Sequence, residues 1–285
     1  KGRFGEYSKF DGSYLIYTPI DPGVWIELNS KIYNLDYNYY VDGDLREVYD
    51  FWHQVSAVSF NTYYSNWILL SFGMRKEFYY IDGEIVEPSS RSRYEFDIIS
   101  FYDMMKIDTL DDYTFPAKGF FLSSQVDYVR DDLSYYKSIV DTANFQREMV
   151  VARIAIPLGS RLAFQSGISA STISEDAAPP SYWFVMGGYQ RYEERIYPLN
   201  GYELMERTGR HGWVYNLGFQ YELFPDFFIT AKWNEGKAVD DIKELYVYGD
   251  TDAGFGILLG YRTPFGPMQA GVFRRFYSFL KDSGF

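Results

Sequence analysis

Along much of the chain apolar and polar residues alternate one for one. Val24, Ile26, Leu28 and Ile32 alternate with Glu27, Asn29 and Lys31, and Ile68, Leu70, Phe72 and Met74 alternate with Ser71, Gly73, Arg75 and Glu77. The same period of two recurs around 120–128, 162–168, 217–223 and 255–261. It predicts strands with one apolar and one polar face. The polar faces carry side chains too charged for a packed core. Several runs exceed ten residues, near the ~9–11 that cross a bilayer at a tilt and well above the soluble mean of about 5–6.

The connections alternate in length. Short turns with Pro, Gly or Asn fall at 19–23, 65–66, 115–119, 157–160, 224–226 and 263–267, and longer polar loops at 40–47, 82–92, 130–144, 171–212 and 235–252. Short turns on one rim and long loops on the other are the building plan of a transmembrane antiparallel β-barrel. The expectation is an all-β chain of twelve strands, at 7–18, 23–40, 46–63, 66–80, 92–108, 119–130, 144–157, 160–171, 212–224, 227–234, 253–263 and 267–277. In that topology both chain ends fall on the long-loop side, whereas single-chain barrels close with their ends on the short-turn side. Residues 1–285 therefore read as one barrel domain lacking strands at both ends.

Composition supports the membrane reading. Aromatics make up 21% of the chain, with 29 Tyr and 24 Phe, yet no apolar run is long enough for a transmembrane helix. An apolar outer face with aromatic girdles, over a polar interior, gives this balance. The net charge of -12 excludes a phosphate-neutralising surface, so no nucleic-acid partner is expected. The absence of Cys rules out disulfides and thiolate metal sites. Lys1 follows no visible signal peptide, so the mature chain begins there or an N-terminal part precedes it.

The longest gap between strands holds WFVMGGYQRYEERIYPLNGY, residues 183–202. So aromatic a loop must fold back onto the strands, and it carries Gly187, Gly188 and Arg191. Glycines 254, 256 and 260 alternate within one strand with no helix after them, which is not a phosphate loop. A strand face without side chains leaves room for something packed on it, and the returning loop is the expected occupant. Arg191 is predicted to reach the wall there. Its fork suits a carboxylate, and Glu222, in phase with Asn216, Gly218 and Gln220, is the chosen partner.

Three ordered motifs carry a resemblance. DDYTFPAKGFFL (111–122) contains a turn with Pro116 and Gly119; Gly187-Gly188 precedes Arg191; GILLGYRTPFGPMQAG (256–271) contains a turn with Pro264, Gly266 and Pro267. Together they resemble the superfamily of the outer-membrane assembly factor and the two-partner secretion transporters. The resemblance implies a bacterial outer-membrane barrel of sixteen strands, of which this chain would span the fourth to the fifteenth, with a sixth extracellular loop folded inward. Two departures stand out. Tyr192-Glu193 follows Arg191 in place of Gly-Tyr, and Lys232 and Asn234 occupy the stretch where the family places a lumen-facing Asp. Barrels joined to a patatin-like phospholipase domain, of type V secretion, are similar in this respect.

That branch implies a barrel that anchors and helps translocate an N-terminal secreted domain. A protein insertase is the alternative, and a diffusion porin a third reading. The implied partners are outer-membrane lipid and the passenger domain or another secreted polypeptide, with a second copy of the chain also a candidate. No cofactor or metal is expected, and no catalysis by the barrel itself, although a preceding domain could be a lipase. There is no Gly-x-Ser-x-Gly elbow. His53 and His211 read as lumen or rim residues.

Overall fold

In a computed structural model, the structure describes residues 7–20, 23–41, 44–85, 93–130, 144–174, 178–189, 195–247 and 249–276. Twelve long strands form one antiparallel sheet. They are β1 (Tyr7–Tyr17), β2 (Val24–Val41), β3 (Asp44–Ser65), β4 (Ile68–Ile85), β5 (Arg93–Asp108), β6 (Gly119–Arg130), β7 (Phe145–Pro157), β8 (Leu162–Ile173), β12 (His211–Phe224), β13 (Phe227–Val239), β14 (Asp252–Thr263) and β15 (Gly266–Phe276). Three short strands, β9 (Phe184–Met186), β10 (Ile196–Tyr197) and β11 (Arg207–Gly209), form a second sheet in the order β10-β9-β11. The twelve follow one another in sequence order, with β8 paired directly to β12 across the long loop.

The strands are those the alternation predicts, but several run longer. β13 continues past Asn234 to Val239, because β12 begins at His211 and keeps pairing to the end, His211 against Val239. Gly236, which falls within the predicted 235–252 loop, is needed inside that strand: a Cβ there would lie 2.8 Å from the Trp213 carbonyl oxygen and 3.0 Å from Met186 Sδ.

By contact the chain divides into two compact units, Lys1–Met105 with Gln125–Glu148 and Ile173–Ser181, and Lys106–Ser124 with Met149–Thr172 and Tyr182–Phe285. In the first unit the usual distribution of side chains is inverted. On β4, Phe72 is 52% exposed, while Glu77 on the opposite face is fully buried. Water would drive such a strand the other way round, so the exposed apolar face belongs against lipid.

The buried face of this unit carries a chain of charges. Arg75 donates to Asp127 at 2.7 Å and pairs with Glu77 at 2.9 Å, and Arg147 pairs with the second oxygen of Asp127. His53 Nε2 lies 2.9 Å from Glu77, its Nδ1 lies 2.5 Å from the Tyr33 hydroxyl, and its ring stacks on Tyr79, which donates to Glu77. The sequence reading took His53 as a lumen or rim residue, without naming Glu77 or Tyr79 beside it. The register supplies these partners, since Gln54 opposite Phe78 sets His53 beside Glu77 and Tyr79.

Candidate functional site

The second unit holds the folded-back loop between β8 and β12 from Tyr182 onward. Its small sheet is closed by the glycine pair. Gly187 N–H donates to the Tyr197 carbonyl at 3.0 Å, Gly188 N–H to the Tyr202 carbonyl at 3.0 Å, and Leu199 N–H to the Gly188 carbonyl at 2.9 Å. Gly187 has φ 143° and Gly188 φ 73°, a region costly for residues with a Cβ. At Gly187 a Cβ would also overlap the Glu203 carbonyl oxygen. The pair is therefore a structural requirement of the loop. Phe184, Met186, Tyr197, Leu199 and Tyr202 then form one buried cluster with Val214, Val151 and Phe121, with Phe184 and Tyr197 stacked at 4.5 Å. Apolar side chains of this size each contribute about 1.5–3 kcal/mol on full burial, so the loop is held mainly by this cluster.

The wall beneath is cut to receive it. A Cβ on Gly254 would overlap the Asn200 carbonyl oxygen, and one on Gly212 would overlap the Phe184 ring. Of the three glycines singled out on β14, Gly254 lies under the loop and Gly256 lies against Phe273, with the Asn200 amide 3.4 Å from an added Cβ. Gly260 instead makes room for Phe115.

Polar contacts fix the loop's position. Asn234 accepts the Asn200 N–H at 3.0 Å and donates to the Pro198 carbonyl at 3.3 Å. Arg207 grips Asp252 with Nε at 2.7 Å and a terminal nitrogen at 3.2 Å, and the Tyr202 hydroxyl donates to the same carboxylate at 3.1 Å. Arg275 of β15 reaches Glu206 at 3.2 Å. Burial, then the Asp252 carboxylate, pushes the Tyr202 phenol well above its ordinary pKa, so it stays protonated and donates to that carboxylate.

A second inward element sits between β5 and β6. Asp112 accepts the amides of Thr114 at 2.7 Å and Phe115 at 2.8 Å, and Asp111 those of Ala117 and Lys118. Gly119 closes the turn at φ 109°, where a Cβ would overlap the Thr109 carbonyl oxygen. Phe115 thereby turns inward and stacks on Phe228 at 4.5 Å. Its carbonyl and that of Pro116 accept the side-chain amides of Gln220 and Gln165. The sequence reading took 115–119 as a short rim turn and as one of the three motifs that carry the resemblance. The Asp pair and the two glutamines make it part of the inner face. The third motif is a plain hairpin turn: Pro264 and Phe265 form its tip, Gly266 adopts φ 123°, and Pro267 pairs with Arg262.

A sequence model described as OMP85 superfamily matches residues 33–275. The chain belongs to the OMP85 superfamily. Among curated proteins none matches it. Solved structures similar to it include BamA from Haemophilus ducreyi lacking POTRA domains 1–3 (TM-score 0.67, 11% identity, covering 95% of this chain and 59% of that one). CdiB from Acinetobacter baumannii gives 0.57 at 13% identity, covering 95% and 47%, and CdiB from Escherichia coli 0.56 at 12%, covering 95% and 50%. At such identities the likeness is one of fold, and the chain spans about half the length of these structures. It is an all-β, outer-membrane OMP85 barrel chain.

Of the residues predicted for the OMP85 loop lock, Gly187 and Gly188 take the places just described, and Arg191 lies outside the described residues. Glu222 shares the β12 face with Val214 and Gln220, and it accepts the Asp226 N–H at 3.2 Å beside the β12–β13 turn. Sequence reasoning missed Arg207 and Asp252, which stand 45 positions apart in chain order. Asn234 was noted only as a departure from the family's Asp. Its place in a strand face otherwise occupied by Thr230, Lys232 and Gly236 was the available signal.

Proposed function

We propose that this barrel anchors a polypeptide at the outer membrane and helps carry it across, in the manner of type V secretion, with the folded-back loop (182–189 and 195–210) as its internal gate. One observation carries the reading: the loop carries its own small sheet, seated on a wall whose glycines are bared for it and latched by Arg207 to Asp252. A seat shaped for an occupant with a partly exposed polar latch suits a gate that is displaced and returns. Arg191 belongs to this proposal as a second latch, directed at the carboxylate of Glu222, which lies on the same strand face. The departure at Tyr192-Glu193 favours a patatin-like domain N-terminal to the barrel as the passenger.

The test is surface display of the N-terminal domain of the full-length protein, followed by protease accessibility on intact cells. Arg207→Ala and Asp252→Asn should change the displayed fraction while the barrel stays folded. The BamA likeness favours a second reading, insertion of other membrane proteins. Depletion that lowers the levels of other outer-membrane barrels, with display unchanged, would replace the first reading by the second.

A further inference from the structure

Among the described residues, two cations on the inner face of the second unit have no carboxylate partner. Arg153 of β7 and Lys232 of β13 are separated by β8 and β12, three strand spacings or about 14 Å of backbone. Each leans toward the other over a glycine. An added Cβ on Gly167 of β8 would lie 3.1 Å from Arg153 Cγ, and one on Gly218 of β12 would lie 3.4 Å from Lys232 Cγ. These glycines sit on neighbouring strands, where Gly218 pairs with Gln165 and Asn216 with Gly167. The two side chains therefore converge on the β8–β12 seam, and the charged group Lys232 feels there is Arg153, a like charge.

The Arg153 guanidinium lies 4.4 Å from the Phe121 ring centre and 4.7 Å from that of Tyr113, and its Nε is buried with no hydrogen-bond partner. Among the described residues neither cation is paired with a carboxylate. Like charges brought together with water partly excluded oppose each other. Leaning them over glycines toward one point is a costly arrangement for a wall that needs only to be polar. It becomes favourable when an oxyanion sits between them, bound by the planar fork of Arg153 and the point charge of Lys232.

We propose that Arg153 and Lys232 form an oxyanion site on the inner face, taking the carboxylate of an acidic side chain on an extended polypeptide that passes along this wall. Gly167 and Gly218 add no side chain of their own to the seam, so the two cations are the groups that lie over it. A free phosphate would meet the same two cations, but a polypeptide conduit brings acidic side chains along this wall. The site rests on the reading of the barrel as a polypeptide conduit.

The experiment uses the full-length protein purified in detergent, its folding checked by heat-modifiable gel migration. Binding of fluorescent glutamate-rich, glutamine-rich and lysine-rich peptides of equal length is followed by anisotropy, with inorganic phosphate as a separate probe. The expected result is that the glutamate peptide binds at least tenfold more tightly than the glutamine peptide. Lys232→Gln and Arg153→Gln should each remove most of that preference, and Lys232→Arg should keep it. Equal binding of the two peptides, or an unchanged preference in the folded double variant, would overturn the site. Lys232-dependent binding of phosphate with no preference for the glutamate peptide would overturn the polypeptide as its ligand. Peptide binding that follows Lys232 in a protein with no display activity would leave the site standing and remove the secretion reading.

Discussion

Arg207 holds Asp252 through two nitrogens, at 2.7 and 3.2 Å, and so joins the last strand of the folded loop to the first residue of β14. The side chains are 32% and 26% exposed. Solvent screens a pair of that kind, and its worth is about 1 kcal/mol or less. Its role is to place the loop. Arg207→Ala and Asp252→Ala should each raise ion conductance in planar bilayers with little change in unfolding midpoint, and the double variant should match either single one. Conductance equal to that of the unaltered protein in all three would show that the pair does not hold the loop in place.

Gly254 tests the seat independently of charge. Its Cβ would overlap a backbone atom, the Asn200 carbonyl oxygen, which cannot swing aside as a side chain can. Gly254→Ala should cost about 1–3 kcal/mol, the range for overpacking, read as a lower urea midpoint in lipid vesicles. Gly23→Ala, with nothing within 4 Å of its Cβ, should be close to neutral. A Gly254→Ala protein as stable as Gly23→Ala would mean that the loop does not rest there.

Asp127 is the hinge of the charge chain in the first unit, between Arg75 and Arg147. All three are buried. Asp127→Asn leaves two guanidinium groups without their shared carboxylate, and losing one partner of a buried ion pair costs about 3–5 kcal/mol. Asp226, whose side chain is 48% exposed beside Arg262, should lose less than about 1 kcal/mol on change to Asn. Urea unfolding of the two variants side by side checks the contrast. Similar losses would refute the buried chain.

The β5–β6 turn should respond to acid. Burial alone would raise the Asp112 pKa, but the Phe115 and Thr114 amides, together with Arg262, outweigh it and hold the group below its ordinary 3.8. A native pKa below the unfolded one gives stability that is present above 3.8 and lost as the pH falls through the lowered native value. Hydrogen exchange at Thr114 and Phe115 should therefore be steady near neutrality and accelerate, beyond its intrinsic pH dependence, as the pH drops below 3.8. In Asp112→Asn that acid step should vanish. An acid step that persists in Asp112→Asn would assign it to another group.

The sequence by itself determined the strands, their faces and their order. Period-two alternation is a local property, and lipid on one side enforces it at every outward position, so Leu70, Phe72 and Met74 could be read one residue at a time. The glycine pair and the bared strand face at Gly254 were legible for the same reason, since a missing side chain is visible in the sequence wherever it occurs. The tertiary structure decided the partners. Arg207 with Asp252, Asn200 with Asn234, His53 with Glu77, and Arg153 facing Lys232 come together only once the register is set and the loop is seated. Such pairings depend on which rows of which strands coincide, and no stretch of the chain shorter than the paired strands contains that information.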